Sequence, residues 1–249
     1  MDPRLPAIEI LGVPVARLDH DAALREINKL YDGAGPARVV YVNAHSLNLA
    51  ASDPEYAGIL RRADLVLNDG VGMALAARIR GASFPENLNG SDFNPLIVGL
   101  ASERGWPVFF LGAAEGVADG TAERLGHRYP ALRVAGTLHG YAGTAASVEA
   151  VRASGAHLLM VAMGNPLQER FLDRHLAGTG ARIGVGVGAF FDFTAGVVPR
   201  APAWMNEAGV EWMWRLAQEP RRMWRRYVVG NPLFLARVVR ERLSGSTVR

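Results

Sequence analysis

The chain has no cysteine, which removes disulfides and thiolate chemistry while leaving the compartment open. Lysine is nearly missing as well. Lys29 is the only one and lies in no glycine loop; with no G-x-x-x-x-G-K-[ST] segment, a P-loop nucleotide hydrolase is excluded. No apolar run approaches the roughly 20 residues of a membrane-spanning helix. There is no low-complexity tract and no internal repeat, so disorder is not expected away from the ends. The opening Met1-Asp2-Pro3-Arg4-Leu5-Pro6 lacks a signal peptide's apolar stretch, and a cytoplasmic location is expected. The net charge of +3 over 249 residues is modest, so any basic character is local.

What is present is an alternation. Short β-branched runs at 8–15, 38–43, 64–68, 107–111, 132–137, 157–163 and 182–187 read as strands. Helical patterns fill the gaps at 19–30, 54–62, 73–79, 93–104, 116–128, 145–153 and 166–175. Strands that are apolar throughout, such as Leu158-Leu159-Met160-Val161-Ala162-Met163, suit a sheet covered on both faces. The expected class is α/β with a mainly parallel sheet over 1–199, followed by a helical segment over 200–249. In that segment helices are expected at 203–218, 220–229 and 232–243, with Gly230-Asn231-Pro232 as a breaker.

In open parallel sheets ligands bind beyond the carboxyl ends of the strands, and the polar residues collect there. Asn43 and His45 follow one strand and Asn68-Asp69-Gly70 another. Gly164-Asn165-Pro166-Leu167-Gln168-Glu169 follows a third, and Gly188 with Asp192 a fourth. Asp69 reads either as a general base whose pKa partial burial would raise, or as the N-cap of the helix that follows. Gln168 and Glu169 suit sugar hydroxyls or a base edge, or equally the first turn of a helix. His45 is a ligand to an acceptor or phosphate, or a satisfied structural histidine. Gly184, Gly186 and Gly188 miss the dinucleotide G-x-G-x-x-G spacing and read as close packing. Asp19-His20-Asp21 is the only D-x-D and reads as a helix cap; no metal ligand set and no cofactor are implied.

From Glu211 onward the chain carries nine arginines against three acids, interleaved with Trp212, Trp214, Trp224 and Tyr227. At roughly 100° per residue, Arg221, Arg222, Arg225 and Arg226 share an arc of about 140° and Met223, Trp224, Tyr227 and Val228 the opposite one. A guanidinium face beside an aromatic face suits an anionic membrane interface. A nucleic-acid-binding protein would use the same tail on a phosphate backbone, but the core motifs would then go unexplained. A transferase with a soluble acceptor is the other alternative.

Taken in order, several segments resemble the WecG/TagA/CpsF family of bacterial glycosyltransferases. They are Val42-Asn43-Ala44, the run from Ala63 to Gly72, Gly90-Ser91-Asp92, the run from Met163 to Glu169, and the run from Gly186 to Phe193. Arg200-Ala201-Pro202, the run from Glu211 to Leu216 and Gln218-Glu219-Pro220-Arg221-Arg222 complete the set. The resemblance implies a Rossmann-like α/β fold with a helical C-terminal appendage. It also implies inverting, metal-independent transfer of a sugar from a UDP donor to a polyprenyl-diphosphate-linked sugar. The sugar would be N-acetylmannosamine, its uronic acid or glucose, and the work would be done at the cytoplasmic face of the membrane in cell-surface or exopolysaccharide synthesis. No nucleic acid is implied as a partner, and homo-oligomerisation is left open. Asp69 matches the family's proposed base. Asn43 and Gln168 match its substrate site, Asp192 its nucleotide side, and Arg215, Arg222 and Arg225 the residues assigned to the acceptor diphosphate; His45, Gly164, Asp92 and Tyr41 are expected to bind substrate beside them. Tyr41 stands in the pocket where many members have threonine, and Asn87 where many have arginine.

Overall fold

The computed structural model describes residues 1–202, 205, 211–218 and 220–245, the side chains of Glu211, Arg215 and Arg222 excepted. It opens with an antiparallel hairpin of β1 (Ala7–Ile10) and β2 (Val13–Ala16). The expected single strand over 8–15 is therefore split. Leu11 and Gly12, at φ 50° and 71°, make a two-residue turn whose left-handed geometry follows the natural twist of the strands.

Six parallel strands then carry the fold: β3 (Ala37–Val42), β4 (Leu65–Asn68), β5 (Val108–Gly112), β6 (Val134–Leu138), β7 (Leu158–Ala162) and β8 (Ile183–Gly186). Their order across the sheet is β4-β3-β8-β7-β5-β6, as the α/β reading requires. The helices of this body are α1 (His20–Tyr31), α2 (Ala44–Ala50), α3 (Pro54–Arg61), α4 (Val71–Ile79) and α5 (Gly90–Arg104), then α6 (Val117–Arg128), α7 (Thr144–Ser154), α8 (Leu167–Thr179) and α9 (Phe190–Thr194). Two of them, α2 and α9, are short and carry no period visible in the sequence.

Alternation along the central strands sorts the side chains by face. Val39 and Tyr41 with Phe110, Met160 and Val185 join α1, α5, α6 and α9 in one apolar cluster. Val40, Val42 and Val66 join α2, α3 and α4 on the other face, while Leu111, Leu159 and Val161 meet α7 and α8 in a separate cluster there. At Gly184 a Cβ would overlap Leu172 and Leu176, so the glycine lets α8 lie close on β8. Asp19 caps α1, accepting from the Ala22 N–H at 2.7 Å, which accounts for the D-x-D carboxylate.

The C-terminal helices are α10 (Glu211–Gln218), α11 (Pro220–Trp224) and α12 (Gly230–Leu243), the last two joined by a π turn over Arg225–Val229. Of the expected helix at 203–218, residues 203, 204 and 206–210 lie outside the described residues. The expected break at Gly230-Asn231-Pro232 does not occur. Pro232 falls in the first turn of α12, where its missing N–H would have been little used, and Gly230 N–H bonds back to Arg225 O across the widened turn. The π turn also spoils the expected two-arc wheel: Met223 is buried, Trp224 and Arg225 are exposed, and Arg226 is half-buried.

Helix α12 is built into the sheet-covering layer. Phe234 and Val238 are 0% exposed and share a cluster with Ala44, Leu47, Met73 and Ala76. Each such burial contributes roughly 1.5–3 kcal/mol. Arg237 donates to Asn48 O at 3.2 Å and Asn48 Oδ1 at 2.7 Å. The Glu241 carboxylate accepts from the hairpin-turn N–H groups of Leu11 and Gly12 at 3.1 and 3.2 Å. Among the described residues no helix is long and apolar enough to cross a membrane.

Candidate active site

At the end of β4 the chain must turn sharply into α4, and Gly70 does so at φ 89°. Gly70, not Asp69, is the N-cap of α4, and no side chain caps that helix. The capping alternative for Asp69 therefore falls away. Its backbone N–H is fixed by Val42 O at 2.9 Å, and its half-buried carboxylate accepts from Asn43 Nδ2 at 3.0 Å. Asn87, the family departure, accepts from Gly70 N–H at 2.8 Å and so braces the same turn. The first N–H groups of α4 carry the positive end of its dipole and lie next to Asp69.

Asn43 ends β3 and does two jobs. Its Oδ1 caps α2 by accepting from His45 N–H and Ser46 N–H, both at 3.1 Å, while its own backbone N–H donates to Ser46 Oγ at 2.8 Å. Its Nδ2 is then left pointing at Asp69. His45 is half-buried in the first turn of α2. Burial, and after it the Arg226 guanidinium, pull its pKa down to about 4, so the ring is neutral at pH 7. Arg226 lies on the π turn, just before the start of α12, where Gly230 O accepts from Asn48 Nδ2 of α2 at 2.7 Å.

Tyr41 lies on the other face of the sheet. It is buried against α5, donates to Asn94 Oδ1 at 2.8 Å, and its pKa is driven well up by burial and by the nearby Asp69 charge. Asp92 sits at the start of α5, where Asn89 Nδ2 bonds to it at 2.8 Å and Arg200 pairs with it. Asp192 is half-buried on α9, and its backbone carbonyl accepts from Val197 N–H and Val198 N–H at 2.9 and 3.1 Å.

On the β7 and β8 side, Gly164 turns at φ 74° and Gln168 is only 2% exposed. Both ends of the Gln168 amide are taken: its Oε1 accepts from Gly164 and Gly188 N–H groups, and its Nε2 donates to Glu169. Glu169, at 1% exposure, is too enclosed to hold a sugar directly. Arg225 is exposed on the π turn, while the side chains of Arg215 and Arg222 lie outside the described residues. The fold thus brings Asn43, His45 and Asp69 together with Arg226. Gln168 and Gly164 follow β7, two strands from β3 across the sheet, and Asp92 is set with Arg200. The expected two-arc wheel placed Arg226 with the tail's other arginines; in the structure it is half-buried on the π turn and its charge acts on His45.

A parallel sheet that gathers an aspartate, an asparagine and glycine turns at its carboxyl edge, beside an uncapped helix start, defines a Rossmann-like enzyme with a strand-end site. The chain belongs to the glycosyl transferase WecG/TagA/CpsF family, whose profile matches residues 8–248, and it is a glycosyltransferase. It is 33% identical over 178 residues (71% of this chain, 69% of the relative) to an N-acetylglucosaminyldiphosphoundecaprenol N-acetyl-beta-D-mannosaminyltransferase of Bacillus spizizenii. It is 28% identical over 207 residues (83% of this chain, 80% of the relative) to a protein of the same description from Bacillus subtilis strain 168.

Proposed function

We propose that the chain moves a sugar from a UDP donor to a polyprenyl-diphosphate-linked sugar, with inversion and without a metal. The observation that carries the reading is the Asp69 carboxylate, half-buried at a strand end and held by Asn43 Nδ2 at 3.0 Å. A single base so placed takes the acceptor hydroxyl proton as the new C1–O bond forms and the bond to UDP breaks. The UDP charge then meets helix N–H groups and arginines in place of a metal ion. The names of the two Bacillus relatives favour N-acetylmannosamine as the sugar and a diphosphoundecaprenol-linked N-acetylglucosamine as the acceptor. The uronic acid and glucose are the alternatives.

The tail supports a peripheral place at the cytoplasmic face of the membrane. Trp212, Met213, Trp224, Val228, Val229 and Leu233 are exposed apolar groups, and Arg221 and Arg225 are exposed among them. Arg215, Arg222 and Arg225 are assigned to the acceptor diphosphate, and Asp192, Asp92, His45 and Gly164 to the substrate surroundings, with the buried Tyr41 behind them bonded to Asn94. A panel of radiolabelled UDP-sugars, each incubated with a polyprenyl-diphosphate N-acetylglucosamine in excess EDTA, tests the whole. Transfer from one of them is expected. Transfer from none, or transfer that EDTA abolishes and Mg²⁺ or Mn²⁺ restores, refutes it in the corresponding part.

A further inference from the structure

The seam between α3 and α8 separates the two apolar clusters on their face of the sheet; Asp53, Glu55 and Asp173 form ion pairs along it, and Glu169 is its buried carboxylate. Glu169 Oε1 accepts from Asn165 Nδ2 at 2.7 Å and from Gln168 Nε2 at 2.8 Å, and Oε2 from the Tyr56 hydroxyl at 3.3 Å. An accepting carboxylate oxygen cannot face a carbonyl. Gln168 must therefore turn its NH₂ toward Glu169 and its Oε1 away. On that far side Oε1 receives Gly164 N–H at 3.2 Å and Gly188 N–H at 3.0 Å. A reversed amide would lose all three bonds and set its NH₂ against two N–H donors. Gly186 leaves the room needed, since a Cβ there would stand 3.0 Å from Gln168 Nε2.

We propose that Glu169 is a positioning residue: it sets the direction of the Gln168 amide, which ties the loop after β7 to the loop after β8 and shapes the floor of the site. This rests on the reading of these strand ends as the place of sugar transfer. The two glycines carry positive φ, 74° at Gly164 and 56° at Gly188, so each loop is conformationally broad and needs an external tie. The tie survives protonation, because a proton on Oε2 is donated to the Tyr56 oxygen while Oε1 goes on accepting from both amides. Glu169→Gln can reproduce that neutral arrangement, and Glu169→Leu cannot.

The test uses the full chain and four variants: Glu169→Gln, Glu169→Leu, Gln168→Glu and the exchange Gln168→Glu/Glu169→Gln. Hydrogen exchange at the Gly164 and Gly188 amides is read beside turnover. Glu169→Leu is expected to speed exchange at both amides at least tenfold and lower turnover by about 100-fold, the scale of a misplacement near 1 Å. Glu169→Gln should keep both readouts within a few-fold of wild type. Gln168→Glu sets carboxylate against carboxylate and should behave like the leucine variant, whereas the exchange pair should recover tenfold or more of its lost turnover. Unchanged glycine exchange in a folded Glu169→Leu overturns the proposal, as does an exchange pair no better than Gln168→Glu alone. Faster exchange with wild-type turnover also overturns it, because the loops would then move without consequence. If the wild type transfers no sugar at all, the proposed function fails, while the exchange data still decide the hydrogen-bond arrangement.

Discussion

Asn43 Nδ2 and Asp69 Oδ2 lie 3.0 Å apart, joining the carboxyl ends of the neighbouring parallel strands β3 and β4. The same asparagine caps α2, so its amide has one orientation available and the carboxylate is held by a donor that cannot turn away. Asp69→Asn keeps the shape, and the new side chain can turn its oxygen to Asn43. Turnover should fall by roughly 10²–10⁴-fold, the usual contribution of a general base, with UDP affinity and melting temperature nearly unchanged. Isothermal titration with UDP beside a turnover assay checks this, and near-wild-type turnover would remove Asp69 from the chemistry.

Phe234→Ala should destabilise the protein by roughly 3–5 kcal/mol, because it empties a fully enclosed site between α2 and α4. Removing the chain from residue 203 onward takes α12 away with the rest of the segment and is expected to uncover Ala44, Leu47 and Met73. Urea denaturation of the point variant measures the effect. A loss below about 1 kcal/mol would mean that α12 is only loosely seated.

Arg225→Ala separates anchoring from chemistry. One basic residue near an anionic surface contributes roughly 1 kcal/mol, and exposed Trp224 and its apolar neighbours remain. Co-sedimentation with phosphatidylserine-containing liposomes should therefore drop by no more than about fivefold. Turnover on the lipid-linked acceptor should fall much further if this guanidinium meets the diphosphate. Parallel losses would make Arg225 an anchor only.

Glu169 also makes stability depend on pH. Burial lifts its carboxyl from 4.5 to about 7 against the opposing hydrogen bonds of Gln168, its own backbone N–H, Asn165 and Tyr56. Between those values the folded chain binds more protons than the unfolded one, so this group's contribution falls as pH rises and is lost above about 7. Glu169→Gln removes the dependence. Relative to wild type it should gain up to roughly 3 kcal/mol between pH 4.5 and pH 8, with Asp53, Glu55, Tyr56 and Arg61 as the titratable and charged groups on the facing helix. Denaturant midpoints of both proteins at the two pH values check the sign.

The alternation of apolar runs with helical periods was enough for the parallel sheet and most of its helices, because buried strands must be apolar on both faces and surface helices must be striped. The strand-end motifs likewise fall in the turns after the strands, since turns there admit glycine next to polar side chains. Local sequence could not say that Asn43 meets Asp69, that Gly70 rather than Asp69 caps α4, or that Glu169 serves Gln168 rather than a sugar. Each of those depends on which strands become neighbours, and strand order follows from burying all the helices at once. The tail shows the same division. Its arginines and tryptophans were plain in the sequence, whereas the seating of Phe234 and Val238 between α2 and α4 and the half-burial of Arg226 on the π turn come from tertiary packing.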